Sequence, residues 1–242
     1  MVEIIRTGSY DEMSLRVAEL IANEMREKEY PVVGLATGST PIGAYRYLVD
    51  WNQNFDLDFS TVTTVNLDEY KGLPKENDQS YWYFMHDNLF NHVNIDPENV
   101  YLPDGTNEDA EAECARYDAV IASTGGVDIQ LLGMGHNGHI AFNEPADSFS
   151  KGTNCVQLQE STIEANKRFF EKAEDVPRYA YTMGIGTIMA ARKIVIAVSG
   201  KDKAQIVRDA FYGPVTPRVP ASILQFHPCC YLVVDAEAGA LL

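Results

Sequence analysis

The chain is short of positive charge. Against 35 Asp and Glu it carries 19 Lys and Arg, a formal net charge of −16 over 242 residues. A nucleic acid needs a basic face, so that class of partner is excluded. Apolar runs are short too: none reaches the roughly 18 consecutive residues of a membrane helix, and no membrane association is expected. Cysteine is scarce. The four residues, Cys114, Cys155, Cys229 and Cys230, form no C-x-x-C pair, so buried or free thiols in a reducing compartment are expected rather than a disulfide framework. The first residues, Met-Val-Glu-Ile-Ile-Arg, lack the basic-then-apolar order of a secretion signal, which adds to the expectation of a cytoplasmic protein. Repeats, low-complexity tracts and linkers are also missing, so residues 1–242 are read as one α/β domain.

What is present is alternation. Strand-like runs at 3–6, 32–36, 61–67, 100–102, 127–132, 193–198 and 231–234 are mostly separated by helical patterns at 9–29, 41–52, 80–93, 108–123, 182–191 and 202–211. Alternating strands and helices pair in parallel through right-handed crossovers. The pattern predicts an open, mainly parallel, doubly wound sheet of about seven strands flanked by helices. Residues 147–178 are polar and weakly periodic, and read as a lid excursion from that sheet.

One run dominates the chemistry, from Val127 through Gly133-Met-Gly-His-Asn-Gly-His-Ile-Ala-Phe-Asn-Glu-Pro145. A buried strand ends, and glycines, two histidines and Glu144 crowd beyond its carboxyl end, where open α/β sheets bind ligands. Three readings compete with that of an ordinary satisfied loop. Gly133-x-Gly135-x-x-Gly138 fits a dinucleotide fingerprint, but Pro145 stops any helix there, and Thr153-Asn-Cys155 stands where an acidic residue is needed. His136, His139 and Glu144 could hold a metal, though an irregular loop does not align them. A histidine oriented by a carboxylate could transfer protons.

Three further places draw notice. Val32 to Gly43 is a strand ending in a small-residue loop, and Pro41 suits the first helical position. The N–H groups of Gly38, Ser39 and Thr40, with the Thr37 and Thr40 hydroxyls, would cradle an anion, better a sugar phosphate than a nucleotide. Asp68-Glu69 falls at a strand's carboxyl end, where paired carboxylates could act as acid and base; adjacent residues of an extended chain point opposite ways, so only one is expected to face the site, and helix capping is the ordinary alternative. Lys201 and Lys203 open a helix at the same rim, and Arg168 lies in Asn166-Lys-Arg-Phe-Phe170; in so acidic a chain a lysine there could close over a phosphate, against the ordinary reading of a solvated surface side chain. His227-Pro-Cys-Cys230 could suggest a metal, but it begins an apolar strand, where core packing is the better account.

Leu35-Ala-Thr-Gly-Ser-Thr-Pro41, Val65-Asn-Leu-Asp-Glu-Tyr70, Gly133 to Pro145 and Ser199-Gly-Lys-Asp-Lys203 together resemble the glucosamine-6-phosphate deaminase family, from about residue 3 to residue 235. The first motif is shared with 6-phosphogluconolactonase-like relatives. The resemblance implies a Rossmann-like fold and conversion of glucosamine 6-phosphate and water to fructose 6-phosphate and ammonium, with no cofactor and no metal. It implies that Asp68 is the enolisation base, His139 the ring-opening histidine and Glu144 its partner. Asn137 stands where some members carry Asp, so it orients by hydrogen bonds without adding charge. Thr37 to Thr40, Arg168 and Lys203 match the phosphate contacts. Asn154 and Val156 replace the basic residues of allosteric members, and the C-terminus is short, so no activation by an amino-sugar phosphate is expected. The partner implied is the small-molecule substrate, on a monomer or small homo-oligomer.

Overall fold

The computed structural model describes residues 2–166, 170, 172 and 175–242, with the backbone alone at 161, 165 and 166. The continuous apolar runs do become strands: β1 (Val2–Arg6), β2 (Val32–Leu35), β3 (Thr63–Asn66), β5 (Val100–Tyr101), β6 (Ile129–Leu132), β9 (Lys193–Val198) and β10 (Cys230–Val234). They form a seven-stranded sheet in the order β1-β10-β9-β6-β2-β3-β5, each neighbouring pair parallel. Ile194 to Val198 and Ile129 to Leu132 are buried throughout, as strands covered on both faces must be. From β2 the chain moves outward to β3 and β5, then returns to the other side of β2 for β6, β9 and β10. The order in which the chain adds strands therefore reverses between β2 and β6, the place where open α/β sheets form their binding crevice.

The helices are α1 (Tyr10–Glu27), α2 (Ile42–Asn54), α3 (Tyr81–Asn88), α4 (Ala110–Ser123), α5 (Glu160–Asn166), α6 (Ile185–Met189) and α7 (Ala204–Tyr212). In α1, Met13, Val17, Ile21 and Met25 are buried on one stripe. Ser9 caps it by accepting the Glu12 N–H, while the Glu12 carboxylate reaches back to the Gly8 N–H at 2.6 Å, a capping box displaced by one residue.

Several expectations change. The helix expected over 80–93 stops at Asn88 as α3, followed by a 3-10 turn over Phe90–His92. The strand expected over 61–67 is β3 alone: at Leu67 the chain leaves the main sheet and becomes β4 (Asp68–Tyr70). That strand pairs antiparallel with β8 (Tyr179–Thr182), which pairs with β7 (Asn154–Gln157), making a second, three-stranded sheet. The helix expected over 182–191 shrinks to α6, because Thr182 belongs to β8. The excursion at 147–178 is partly built in. It contains β7 and α5; Thr153 bonds Asp118 through both N–H and hydroxyl, and the Ser150 hydroxyl accepts the Ile185 N–H. Short strands of three or four mixed residues leave little periodicity to read, so this sheet was invisible in the sequence.

Candidate active site

The carboxyl ends of four adjacent strands, β9, β6, β2 and β3, open onto one cavity of about 460 Å³, within the range of small-molecule sites. Its walls include Thr37, Gly38, Ser39, Thr40, Asp68, Asn137, His139 and Lys203. Arg168 lies outside the described residues.

After β2 the loop turns at Gly38, whose φ of +93° only glycine adopts without strain. Helix α2 starts one residue later than expected, at Ile42, with the Pro41 carbonyl accepting the Tyr45 N–H at 3.0 Å. Two tyrosine hydroxyls hold the loop. Tyr45 donates to the Ala36 carbonyl at 2.5 Å, and Tyr10 lies 3.1 Å from both the Ser39 and the Thr40 carbonyls. With those carbonyls engaged behind the loop, an anion cradle fits the side facing the cavity.

Asp68 and Glu69 part company as strand alternation requires. Asp68 faces the cavity; burial first, and then the neighbouring Glu69 charge, hold its carboxyl well above the usual carboxylate range. Glu69 faces away and accepts the N–H groups of Tyr70, Tyr81 and Trp82 at 2.8–2.9 Å, capping α3. Burial pushes it up to about 7 despite those bonds.

The loop after β6 packs His139 against its own backbone. The Gly135 N–H donates to the His139 carbonyl at 2.9 Å, and a methyl built on Gly135 would stand 2.2 Å from Cε1 of the imidazole. Asn137 ties the loop at both ends: Oδ1 accepts the His139 N–H at 3.2 Å and Nδ2 donates to Glu144 Oε2 at 2.5 Å. Nδ1 of His139, buried and without a hydrogen bond among the described residues, lies 3.4 Å from the same Oε2, close enough to pair with it when the ring is protonated. Burial alone would raise Glu144; His139, Thr162 and Asn137 outweigh it and hold the carboxyl below its ordinary value. Glu144 stands behind His139, so it can orient the ring and leaves Nε2 turned away from it.

His136, also on the cavity wall, pairs with Asp202, and among the described residues no three His, Cys, Asp or Glu gather into a metal-binding cluster. No helix opens at Gly138, where the dinucleotide reading needs one. His227 is a buried core residue whose ring nitrogens meet the Cys229 and Ala191 carbonyls at 2.9 Å. Lys203 reaches across to the Met134 carbonyl at 2.8 Å, which places its ammonium on the cavity wall.

Several wall residues escaped sequence reasoning. Tyr81 and Phe142 stack with centroids 5.9 Å apart, Tyr70 packs on both, and Phe170 meets Tyr70 edge-on at 5.9 Å. Burial, with Tyr70 and Asp68 nearby, holds the Tyr81 phenol well above its ordinary range, so it stays a neutral donor. Thr162 donates its hydroxyl to Glu144 Oε1. Ala141, also on the wall, has a φ of 51°, rare for a residue with a side chain. The one advance signal was Ser80-Tyr-Trp-Tyr-Phe84, an aromatic cluster opening a helix.

Residues 7–230 match the protein family described as glucosamine-6-phosphate isomerases/6-phosphogluconolactonase. A glucosamine-6-phosphate deaminase of Lachnoclostridium phytofermentans is 53% identical over 235 residues, covering 95% of this chain and all of its own. One of Thermoanaerobacter pseudethanolicus is 49% identical over 241 residues, covering 100% of this chain and 95% of its own. A solved structure described as a monomeric glucosamine-6-phosphate deaminase superposes with a TM-score of 0.97 at 43% identity, covering 100% of both chains. A 6-phosphogluconolactonase of Trypanosoma brucei, 19% identical with a TM-score of 0.80 over 100% of this chain and 99% of its own, shares the fold. The chain belongs to the family of glucosamine-6-phosphate isomerases and 6-phosphogluconolactonases.

Proposed function

We propose that this chain is a glucosamine-6-phosphate deaminase, converting glucosamine 6-phosphate and water to fructose 6-phosphate and ammonium in amino-sugar breakdown. The observation that carries this is the pairing, across one small cavity, of a buried carboxylate that is hard to ionise with a histidine backed by a carboxylate. A lactonase has no need of a carboxylate that carries a proton between two carbons.

The sugar phosphate is gripped at the end remote from the chemistry by residues 37–40 and Lys203, with Arg168 assigned to the same grip by its place in the family motif. In the closed sugar, Nε2 of His139 takes the proton from the C1 hydroxyl; the C1–ring-oxygen bond breaks and the ring oxygen receives the proton. Glu144 stabilises the imidazolium in between. Asp68 then removes the hydrogen from C2 while the carbonyl oxygen on C1 takes a proton from the substrate's C2 ammonium, giving an enolamine, and Asp68 returns its hydrogen to C1. That leaves a protonated imine at C2, which water attacks; the C2–N bond breaks and ammonium departs. Burial of Asp68 strengthens it as a base, since the ionised form is poorly solvated there. Positioning by the phosphate grip contributes several kcal/mol of the barrier reduction.

The protein acts in the cytoplasm as a monomer or small homo-oligomer, one α/β domain with 147–178 as its excursion, and without activation by an amino-sugar phosphate. The test is ammonium release from glucosamine 6-phosphate by purified protein, with fructose 6-phosphate forming in equal amount. Release of ammonium without the ketose, or turnover of 6-phosphogluconolactone instead, would overturn the reading.

A further inference from the structure

Thr162 lies on α5, a surface helix of the polar excursion, yet only 5% of it is exposed. It shares the cavity wall with Asp68 and His139, and its hydroxyl donates to Oε1 of Glu144. The other oxygen of that carboxylate, Oε2, takes the Asn137 amide at 2.5 Å and faces His139 Nδ1 at 3.4 Å. Both of those partners come from the loop that carries Glu144. Thr162 comes from a separate element.

The terminal torsion of a carboxylate is soft and broad. Anchored at Oε2 alone, the Glu144 head can rotate and carry its charge away from the imidazole; a second donor at Oε1 fixes the plane. Each carboxylate oxygen has acceptor capacity to spare, so the two anchors do not compete. We infer that Thr162 is a positioning residue for the Glu144–His139 pair, tying its carboxylate to a helix outside the loop that carries both partners. This rests on the reading of His139 and Glu144 given above.

Two near-isosteric variants separate positioning from packing. Thr162→Val keeps the volume and loses the hydroxyl; Thr162→Ser keeps the hydroxyl and loses a methyl. Positioning predicts that Thr162→Val lowers kcat about tenfold or more with KM changed less than about twofold, while Thr162→Ser stays within about threefold of wild type. The reverse ranking, Val benign and Ser impaired, overturns the inference. Amide hydrogen exchange across 160–166 reads the same contact without turnover: it should quicken in Thr162→Val and in Glu144→Ala, and not in Thr162→Ser. Unchanged exchange in the Val variant also overturns it. Wild-type ammonium release in parallel separates the two claims: no turnover with faster exchange in Val refutes the assigned reaction alone, and turnover at wild-type kcat in Val refutes the role of Thr162 alone.

Discussion

Replacing Gly135 by alanine should damage chemistry and spare the fold. The added methyl would stand 2.2 Å from Cε1 and 2.3 Å from Nε2 of His139. Carbon contacts settle near 3.5 Å, so the ring must retreat by about 1.3 Å. It is the far end of one side chain, and it can yield without moving β6 or the core. Yet Nε2 is the atom assigned to the sugar hydroxyl, and a misplacement of about 1 Å can cost on the order of 100-fold. We expect Gly135→Ala to lower kcat/KM for glucosamine 6-phosphate about 100-fold, as read by ammonium release, with Tm within about 3 °C of wild type. The loss should fall on ring opening, so substrate supplied in the open-chain form should recover most of the rate. A variant that keeps kcat/KM within about threefold of wild type would refute the claim that this contact sets the histidine.

Other expectations are as direct. Burial raises Asp68, so its ionised form costs stability once pH exceeds the unfolded value near 4; Asp68→Asn should therefore raise Tm, by a margin that grows from there and levels off above the raised folded value. For the same reason kcat/KM in the wild type should fall on the acid side well above the ordinary carboxylate range, as a pH–rate profile would record. Lys203→Ala should raise KM for the phosphorylated sugar about tenfold or more with a smaller change in kcat, measured by steady-state kinetics. Asp128, buried, bonds the Val32 N–H at 2.8 Å and Lys28 at 2.5 Å and pairs with Arg192. Asp128→Ala should cost about 2–3 kcal/mol at pH 7 in urea unfolding. Burial of Asp128 is outweighed by these partners, which hold its carboxyl low, so the difference from wild type should shrink as pH falls below about 4.

The main sheet was legible because its strands are continuous apolar runs between helical patterns, and Lys193–Val198 was bounded to the residue. The lining of the candidate site was legible in its loops, where glycines and titratable groups follow buried strands, as in the run from Gly133 to Glu144. The second sheet was not. Asp68-Glu69-Tyr70 alternates faces in only three residues, and Asn154 to Gln157 mixes polar with apolar, so tertiary pairing rather than pattern decides both. The link from Thr162 to Glu144 spans 18 positions and two elements. Neither residue's neighbours in sequence announce the other, and only the folded chain brings them together.

The most direct test of the account is where a hydrogen lands. In deuterated solvent the wild-type enzyme should place deuterium on C1 of fructose 6-phosphate, and Asp68→Asn should place none while still binding the sugar phosphate with an affinity within about threefold of wild type. Exchange into C1 by Asp68→Asn at a rate comparable to wild type would contradict the assignment of the proton shuttle to Asp68.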